Sequence, residues 1–158
     1  MKRFTITATA LLLSTGAYAA SSVQSVEVEA DLTAVQNAEA AQVWGNLSAD
    51  LEAEIAERLV SRIDDEGATV EVDIDEIELA NMFTQTIGTA DSKLVGDVEI
   101  DAPGLFNKMD YTLTVSAEQA MAYYPSGTTP GEVLVDSQVY YDAMLDAFAD
   151  NIASKFDS

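Results

Sequence analysis

The sequence of 158 residues contains no cysteine and no histidine. Without cysteine, disulfides and thiolate nucleophiles are excluded, and without histidine the side chain most often used for general acid–base catalysis is missing. The usual ligand sets of zinc, haem and iron–sulfur sites are excluded for the same reason. Glycine-rich nucleotide-binding motifs are also absent. We therefore expect a domain that is held together by packing alone, has no cofactor and is not an enzyme.

Basic residues are scarce as well. There are 7 lysines and arginines against 28 aspartates and glutamates, which gives a formal net charge of −21. Nucleic-acid binding needs lysine and arginine facing phosphates, and anionic lipid surfaces attract polybasic segments. The composition therefore excludes nucleic acid as a partner and disfavours membrane-surface binding. A high negative charge also keeps a protein soluble in a saline medium, where salt screens the self-repulsion.

Long apolar runs are restricted to the first residues of the chain. Basic residues at positions 2 and 3 precede a mostly apolar run over residues 4–13, and Ala17-Tyr18-Ala19 offers small residues for cleavage. This pattern is typical of a secretory signal peptide (residues 1–19), and the run is too short to span a bilayer. We expect cleavage after Ala19 and one mature domain, residues 20–158, without a transmembrane segment. Because no cysteine follows the apolar run, the sequence predicts a periplasmic or secreted protein that is not a lipoprotein.

What the sequence does contain is a repeated alternation of apolar and acidic residues, at Val26–Asp31, Val70–Asp75 and Val98–Asp101. A period of two is typical of a β-strand with one buried and one exposed face. The valines and isoleucines are therefore predicted to face inward and the carboxylates outward. The phase slips by one residue at Asp75-Glu76, which predicts a β-bulge. A fourth strand around Tyr111–Val115 is predicted to have a neutral outer face.

Two segments change to the three-to-four-residue spacing of an amphipathic helix. The first is predicted to begin after Asn37 and to bury the stripe Ala40, Val43, Trp44, Leu47, Leu51, Ile55, Leu59 and Ile63. The second, capped by Asp136 or Ser137, carries Tyr141, Met144, Leu145, Phe148, Ile152 and Phe156. Gly45 lies inside the first stripe, where we expect a kink or a close contact. Ser116–Gln119 matches a capping box and predicts a short helical turn before the second helix.

The predicted order of elements is therefore β-α-β-β-β, a short helix and a final helix. Two amphipathic helices and four half-buried strands favour an α+β fold, a two-layer α/β sandwich with a mainly antiparallel sheet and both helices on one face. A helix between the first two strands permits a crossover that makes these two strands parallel. The order is similar to that of small envelope domains in transport-auxiliary and secretion lipoproteins.

The outer face of the sheet is the predicted place of any function. We expect a non-catalytic interaction or structural accessory protein of the periplasm, with a basic envelope protein as partner, because charge complementarity speeds encounter. Tyrosine pairs are potential anchors. The favoured alternative is that one tyrosine of each pair packs in the core while the other lines the surface. The candidate partner-binding residues are Glu27, Glu29, Tyr123 and Tyr124, with Tyr140-Tyr141 as a second aromatic pair. The neutral residues Thr112, Thr114 and Ser116 are predicted to mark the boundary of the patch.

The alternative is that the same face binds a divalent cation. Like charges opposite each other in a sheet cost up to about 1 kcal/mol per pair, and calcium, which prefers oxygen ligands, relieves such repulsion. The candidate ligands are Glu71, Asp73, Asp75, Asp97 and Glu99. The loop spacing of an EF-hand is absent. Glycosidase-type catalysis by a carboxylate pair is disfavoured, because the acids alternate onto an exposed face rather than into a protected cleft. The sequence does not predict the oligomeric state.

Overall fold

The structure, a computed structural model, describes residues 22–30, 43–78, 92–104, 107–129, 132–134 and 136–157, without the side chains of Glu76 and Glu78. The predicted signal peptide lies outside these residues. The predicted helix cap Asn37 and the first residue of its stripe, Ala40, lie outside them as well.

Four strands form one sheet in which neighbours along the chain are neighbours in space. They are β1 (Val23–Ala30), β2 (Ala68–Glu78), β3 (Lys93–Asp101) and β4 (Lys108–Ser116), in the order β1-β2-β3-β4. β1 and β2 are parallel, whereas β3 is antiparallel to both β2 and β4. The predicted crossover between the first two strands is therefore confirmed, and β1 and β4 are the two edges of the sheet.

Three helices accompany the sheet: α1 (Leu47–Leu59), α2 (Ala117–Ala120) and α3 (Gln138–Ser154). Turns of 3₁₀-helix, Val60–Arg62 and Met121–Tyr123, follow α1 and α2. The side chain of Ser137 accepts a hydrogen bond from the backbone N–H of Tyr140, so Ser137 rather than Asp136 caps α3. The predicted capping box at α2 is present. Within the described residues, no helix combines the length and the hydrophobicity that crossing a bilayer requires.

One apolar core lies between the inner face of the sheet and the helices α1 and α3. The sheet contributes Val28, Val70, Val72, Ile74, Leu94, Val98, Ile100, Leu113 and Val115, all buried. The helices contribute Leu47, Leu51, Ile55, Leu59, Tyr141, Met144, Leu145, Phe148 and Ile152, and Trp44 and Phe156 complete the cluster. Burial of one such aliphatic side chain contributes about 1.5–3 kcal/mol, so this face dominates the stability of the domain. The predicted two-layer α+β architecture is confirmed.

Two irregularities in the central strands agree with the sequence. The pairing of β2 with β3 shifts between Ile74 and Glu76, so Asp75 is the extra residue of the predicted bulge. Gly96, opposite Ile74, allows a close approach of the second layer. A Cβ atom at Gly96 would lie 2.8 Å from Ile74 Cδ1 and 3.3 Å from Phe148 Cζ, so even alanine would displace its neighbours.

The first predicted helix agrees with the structure at Gly45 and differs from it at the C-terminal end. Residues 43 and 44 are helical, but the chain turns at Gly45-Asn46 before α1 begins at Leu47, which confirms the kink at Gly45. The prediction that Ile63 is buried is wrong, because its side chain is 61% exposed. The chain leaves the helical conformation after Arg62, and Ile63 forms an isolated parallel bridge with Val23.

Two arginines connect α1 and its 3₁₀ extension to α3. Arg58 donates hydrogen bonds to the carboxylates of Glu54, at 2.6 Å, and Asp146. Arg62 donates to the carbonyl oxygen of Phe156 and to Asp157 Oδ1, and so binds the end of α3. These contacts join α1 and its extension to α3 within the helical layer. This layer covers the inner face of the sheet, and the outward-facing carboxylates lie on the other face.

Candidate functional site

The register of the strands gathers most of the outward-facing acids into two rows that cross the sheet, and Asp75 and Asp101 lie outside these rows. Directly opposite one another are Glu27, Glu71, Glu99 and Asp110 in the first row and Glu29, Asp73, Asp97 and Thr112 in the second. All of these residues are exposed except Glu99, which is half-buried. We use the name acidic face for the seven carboxylates Glu27, Glu29, Glu71, Asp73, Asp97, Glu99 and Asp110.

A shallow trough of about 610 Å³ runs along the acidic face. Its floor contains Val72, Val98 and Tyr111, which lie between the two rows of carboxylates. The side chains of Val72 and Val98 are buried in the core on the other side of the sheet, so these residues present their backbone to the trough. The trough is open to solvent along its length, and this shape suits an extended cationic segment better than an enclosed small substrate.

The charges of the acidic face are balanced on one side only. Lys108 Nζ on β4 lies 2.6 Å from Glu99 Oε1 and 3.5 Å from Asp110 Oδ1. The hydrogen bond to Glu99 raises the pKa of Lys108, which keeps the ammonium charged. On the same side, Thr112 Oγ1 donates a hydrogen bond to Asp97 Oδ1 at 2.6 Å. Within the described part of the chain, the four carboxylates of β1 and β2 have neither an ion pair nor a side-chain hydrogen bond.

The same alternation that creates the acidic face also stabilises the sheet beneath it. Carboxylates directly opposite one another in neighbouring strands destabilise a sheet by up to about 1 kcal/mol per pair. Between Glu71 and Asp73, however, Val72 is buried, and each buried valine contributes about 1.5–3 kcal/mol. The inner residues of each strand therefore offset the repulsion among the outer ones, and the acidic face persists as a consequence of the fold.

The structure places most of the predicted acids together on the acidic face and places one of them outside it. Glu27, Glu29 and the predicted cation ligands of β2 and β3 share the acidic face, with the exception of Asp75. Asp75 is exposed and lies in the bulge, outside the register of the two rows. The predicted boundary at the fourth strand is only partly right. Thr112 does end the second row, but Asp110 of β4 extends the first.

Asp110 is the acidic-face residue that the sequence analysis missed. It stands two residues before Thr112 and therefore shares its side of β4. The apolar alternation of this strand becomes visible only at Tyr111, whereas the strand begins at Lys108. The alternation of faces, continued from Thr112 toward the N-terminus, is the sequence signal that places Asp110 on the outer face.

The tyrosine pairs lie in the helical layer. Tyr140 and Tyr141 are both buried, so neither is available as a surface anchor, and the alternative that one of them lines the surface is also wrong. Tyr123 and Tyr124 are half-buried against the core. Tyr123 Oη donates a hydrogen bond of 2.8 Å to Asp150 Oδ2 of α3. The role of Tyr123 and Tyr124 in partner binding stays a prediction.

The carboxylates of the acidic face are not arranged around a common position for a metal ion. In the described portion of the chain, no three acidic side chains converge closely enough to hold a metal ion. The rows are formed by residues on neighbouring strands, which lie side by side and point in the same direction rather than toward a common centre. Divalent-cation binding by Glu71, Asp73, Asp97 and Glu99 stays a prediction that the geometry does not strengthen.

No protein-family model matches the chain, and no curated protein matches it either. Two solved structures are similar to it. A "putative lipoprotein from Caulobacter crescentus CB15" has 12% identity and a TM-score of 0.36, with 83% of this chain and 86% of that one covered. An "uncharacterized protein" has 12% identity and a TM-score of 0.37, with 85% and 86% covered. A likeness of this size says nothing about function.

The name of the first of these structures conflicts with the prediction about localisation. The sequence predicts a periplasmic or secreted protein that is not a lipoprotein, whereas the similar structure is named as a lipoprotein. The exclusion of a lipoprotein is therefore contradicted. It depended only on the absence of cysteine after the apolar run at residues 4–13.

Proposed function

We propose that this chain is a non-catalytic accessory domain of the bacterial envelope that binds a basic protein segment on its acidic face. The observation that supports this proposal is the register of the strands. It places seven carboxylates in two rows on one face of the sheet. The four carboxylates on β1 and β2 have no cationic partner among the described residues, and they are available to lysine or arginine side chains from another protein.

The basic residues of the sheet restrict where such a partner binds. Lys93 and Lys108 lie at the two ends of the outer face, at the start of β3 and the start of β4. Both lie on the β3–β4 side, because β1 contains no lysine or arginine and neither does β2. A basic partner is therefore attracted most strongly to the β1–β2 side of the acidic face, and complementary charge of this kind raises association rates and selects against acidic partners.

The absence of catalysis is supported by the chemistry of the same surface. The chain has no histidine and no cysteine, and its abundant carboxylates lie along an open trough. A carboxylate pair that acts as acid and base needs a site from which water is excluded and in which the two groups have different surroundings. The exposed rows of the acidic face are similar to each other and open to solvent, which is the arrangement of a binding surface.

A charge-matched pair of variants tests the proposal. The first variant, E71Q/D73N/D97N/E99Q, neutralises the centre of the acidic face. The second, E57Q/D65N/E66Q/E132Q, removes the same charge from exposed positions outside the sheet. Binding of a fluorescent oligolysine peptide to the full chain is measured by anisotropy at several salt concentrations. We expect the first variant to lose about tenfold or more in affinity and the second to lose no more than about twofold.

The salt dependence provides a second criterion for the same experiment. Because each lysine–carboxylate contact is screened by salt, the affinity of the unmodified chain should fall as salt rises, and that of the first variant should fall less. Equal affinities of the two variants would show that the peptide responds to net charge alone, and the acidic face would then not be a specific binding surface.

A further inference from the structure

The side of the edge strand β1 that faces away from β2 pairs once with another segment, at Val23, and has no other strand partner among the described residues. Adjacent carbonyl groups of a strand point to opposite sides, and here Ser22 O accepts from Ala68 N while Val23 O accepts from Asp64 N. The segment at Ile63-Asp64 therefore lies on the side of β1 away from β2. It pairs only with Val23, in parallel orientation. Beyond Val23, no strand among the described residues pairs with this side of β1.

A groove lies beside this edge, between β1 and α1. It has a volume of about 260 Å³ and is lined on the sheet side by Val23–Val26, the first half of β1, and by Ile63. Most of its lining is apolar, from the inner residues of β1 and from one flank of α1: Val23, Val26, Ala49, Ala53, Ala56 and Leu59. Even an enclosed cavity of ~150 Å³ admits a molecule as large as benzene, so this groove has room for aliphatic side chains.

A strand added to this edge would therefore meet different surroundings on the two faces of the sheet, so different side chains are favoured at its alternate positions. On the groove side an added strand meets mostly apolar residues, together with Glu52 of α1, and on the outer side it meets Glu27 and Glu29. Directly opposite side chains in neighbouring strands contact each other, and opposite charges there are favourable. The complement to β1 is thus an extended segment in which apolar residues alternate with lysine or arginine.

The other edge of the sheet does not offer this combination. β4 carries Lys108, and a lysine on an edge strand discourages pairing with a further strand. The depression beside β4 is lined by the polar side chains Gln119, Asp150, Asn151 and Ser154, whereas the groove beside β1 has fewer, Gln24, Ser25 and Glu52. Charge and lining therefore favour β1 over β4 as the edge that receives a basic strand.

We propose that an extended segment with alternating apolar and basic residues, supplied by another protein, pairs with β1 over Ser25–Ala30 as a fifth strand. Its apolar side chains beside Ser25 and Val26 enter the groove against α1, and its basic side chains contact Glu27 and Glu29. Backbone hydrogen bonds supply much of the affinity in this mode, and the alternate side chains supply specificity. The inference rests on the proposed function, because it specifies how a basic segment reaches the acidic face.

A second copy of this chain is a poorer occupant of the same edge. β1 contains two glutamates and no basic residue, so pairing of two β1 edges brings carboxylates of one copy near those of the other. Like charges opposite each other in neighbouring strands are destabilising. The charge of β1 therefore argues for a basic partner rather than for a homodimer.

Synthetic peptides test the pairing of the backbones. The parent peptide alternates lysine and valine over about eight residues, the upper part of the usual strand length. Two analogues carry N-methyl groups either on every lysine or on every valine, with unchanged charge. In a strand, alternate N–H groups point to the same side, so only one analogue has its N–H groups toward β1 blocked. We expect one analogue to bind about tenfold more weakly than the other, measured by fluorescence anisotropy with the full chain.

Variants of the groove test the position of the added strand. Ala53→Phe fills the groove from α1, and Ala122→Phe adds the same ring at an exposed position beside β4. We expect Ala53→Phe to weaken parent-peptide binding about tenfold or more and Ala122→Phe to leave it within about twofold. Far-ultraviolet circular dichroism and a thermal melt of each variant show that the fold is retained. If Ala53→Phe does not fold, Ala53→Lys at the same exposed position replaces it.

Each outcome decides between the two proposals. If both analogues bind alike and the groove variant binds like the unmodified chain, strand addition at β1 is wrong, while binding to the acidic face stands. If none of the peptides binds at low salt, the proposed function fails together with the inference. If the unmodified chain is a dimer in sedimentation and the groove variant is a monomer, the occupant of the edge is a second copy and the proposed partner is wrong.

Discussion

The inner face of the sheet and the acidic face are made by alternate residues of the same strands, and they differ in their surroundings. Val70, Val72 and Ile74 are covered by the helices and are at most 2% exposed. Glu71 and Asp73, which stand between them, have no partner among the described residues. On the inner face, the size and polarity of a side chain are constrained by the residues that pack against it. At Glu71 and Asp73 on the acidic face, the constraint is the charge of the neighbouring side chains.

This difference separates folding from binding within single strands. Changes on the inner face act on the free energy of unfolding, because they remove or disturb buried contacts. Changes to the four carboxylates of β1 and β2 on the acidic face act on stability through like-charge repulsion. This effect is smaller, and removing one of these charges is stabilising. The following four predictions test the separation, from the largest expected effect to the smallest.

The largest effect is expected from a carboxylate placed on the inner face. Val72→Asp puts a charge without a partner into the core, and we expect it to lower the free energy of unfolding by about 4 kcal/mol or to prevent folding. The control is Thr112→Asp, which places the same side chain on the outer face and should cost less than about 1 kcal/mol. Urea denaturation of both variants measures the difference. Similar losses in the two variants would contradict the separation of the faces.

The second effect concerns the inner layer at alkaline pH. Burial raises the pKa of Tyr140 to about 12, from about 10 in an unfolded chain. Because the folded-state pKa is the higher one, stability is intact below about pH 10 and falls as the pH rises toward 12. Tyr140 accounts for roughly 2 kcal/mol of this loss. Denaturation of Tyr140→Phe should therefore show a smaller loss between about pH 9 and pH 12 than the unmodified chain. An identical loss would mean that Tyr140 is not buried.

A smaller effect, of opposite sign, is expected on the acidic face. Glu71 lies between Glu27 and Glu99 in the first row, so Glu71→Gln removes two like-charge pairs. We expect it to stabilise the fold by about 0.5 kcal/mol at low salt, and salt should reduce this gain. Glu132→Gln, at an exposed position outside the sheet, is the control and should have no effect. A loss of stability in Glu71→Gln would show that the acidic face contributes to folding.

The smallest difference is expected between calcium and magnesium. Both ions screen the acidic face, but only a specific site distinguishes them. Calcium binds a larger number of oxygen ligands than magnesium and tolerates less regular positions of these ligands. We expect thermal melts at one ionic strength to shift equally in the two chloride salts. A larger shift with calcium that is lost in E71Q/D73N would support the cation-binding alternative over the binding of a basic partner.

The sequence predicts which face of the sheet a residue lies on better than it predicts which residues lie opposite it on neighbouring strands. The period of two decides that Val72 is buried and Glu71 exposed, and the slip at Asp75 predicts the bulge, because both depend on consecutive residues. Which carboxylates stand opposite one another depends on contacts distant in sequence. Asp110 was missed for a local reason, because the apolar alternation of β4 is visible only from Tyr111 onward. The strand-like pairing of Ile63 was hidden by the helical spacing before it. The groove beside β1 likewise appears only when α1 is placed on the sheet.

The location of the binding surface is tested most directly by amide NMR. The full chain, labelled with ¹⁵N, is titrated with the peptide that alternates lysine and valine, and the shifted amide signals are assigned. The account predicts that the largest shifts fall in β1, at Ser25–Ala30, and next along Glu71–Asp73 of β2, while amides of α3 change little. Largest shifts in α3 or in β4, with β1 unchanged, would contradict it.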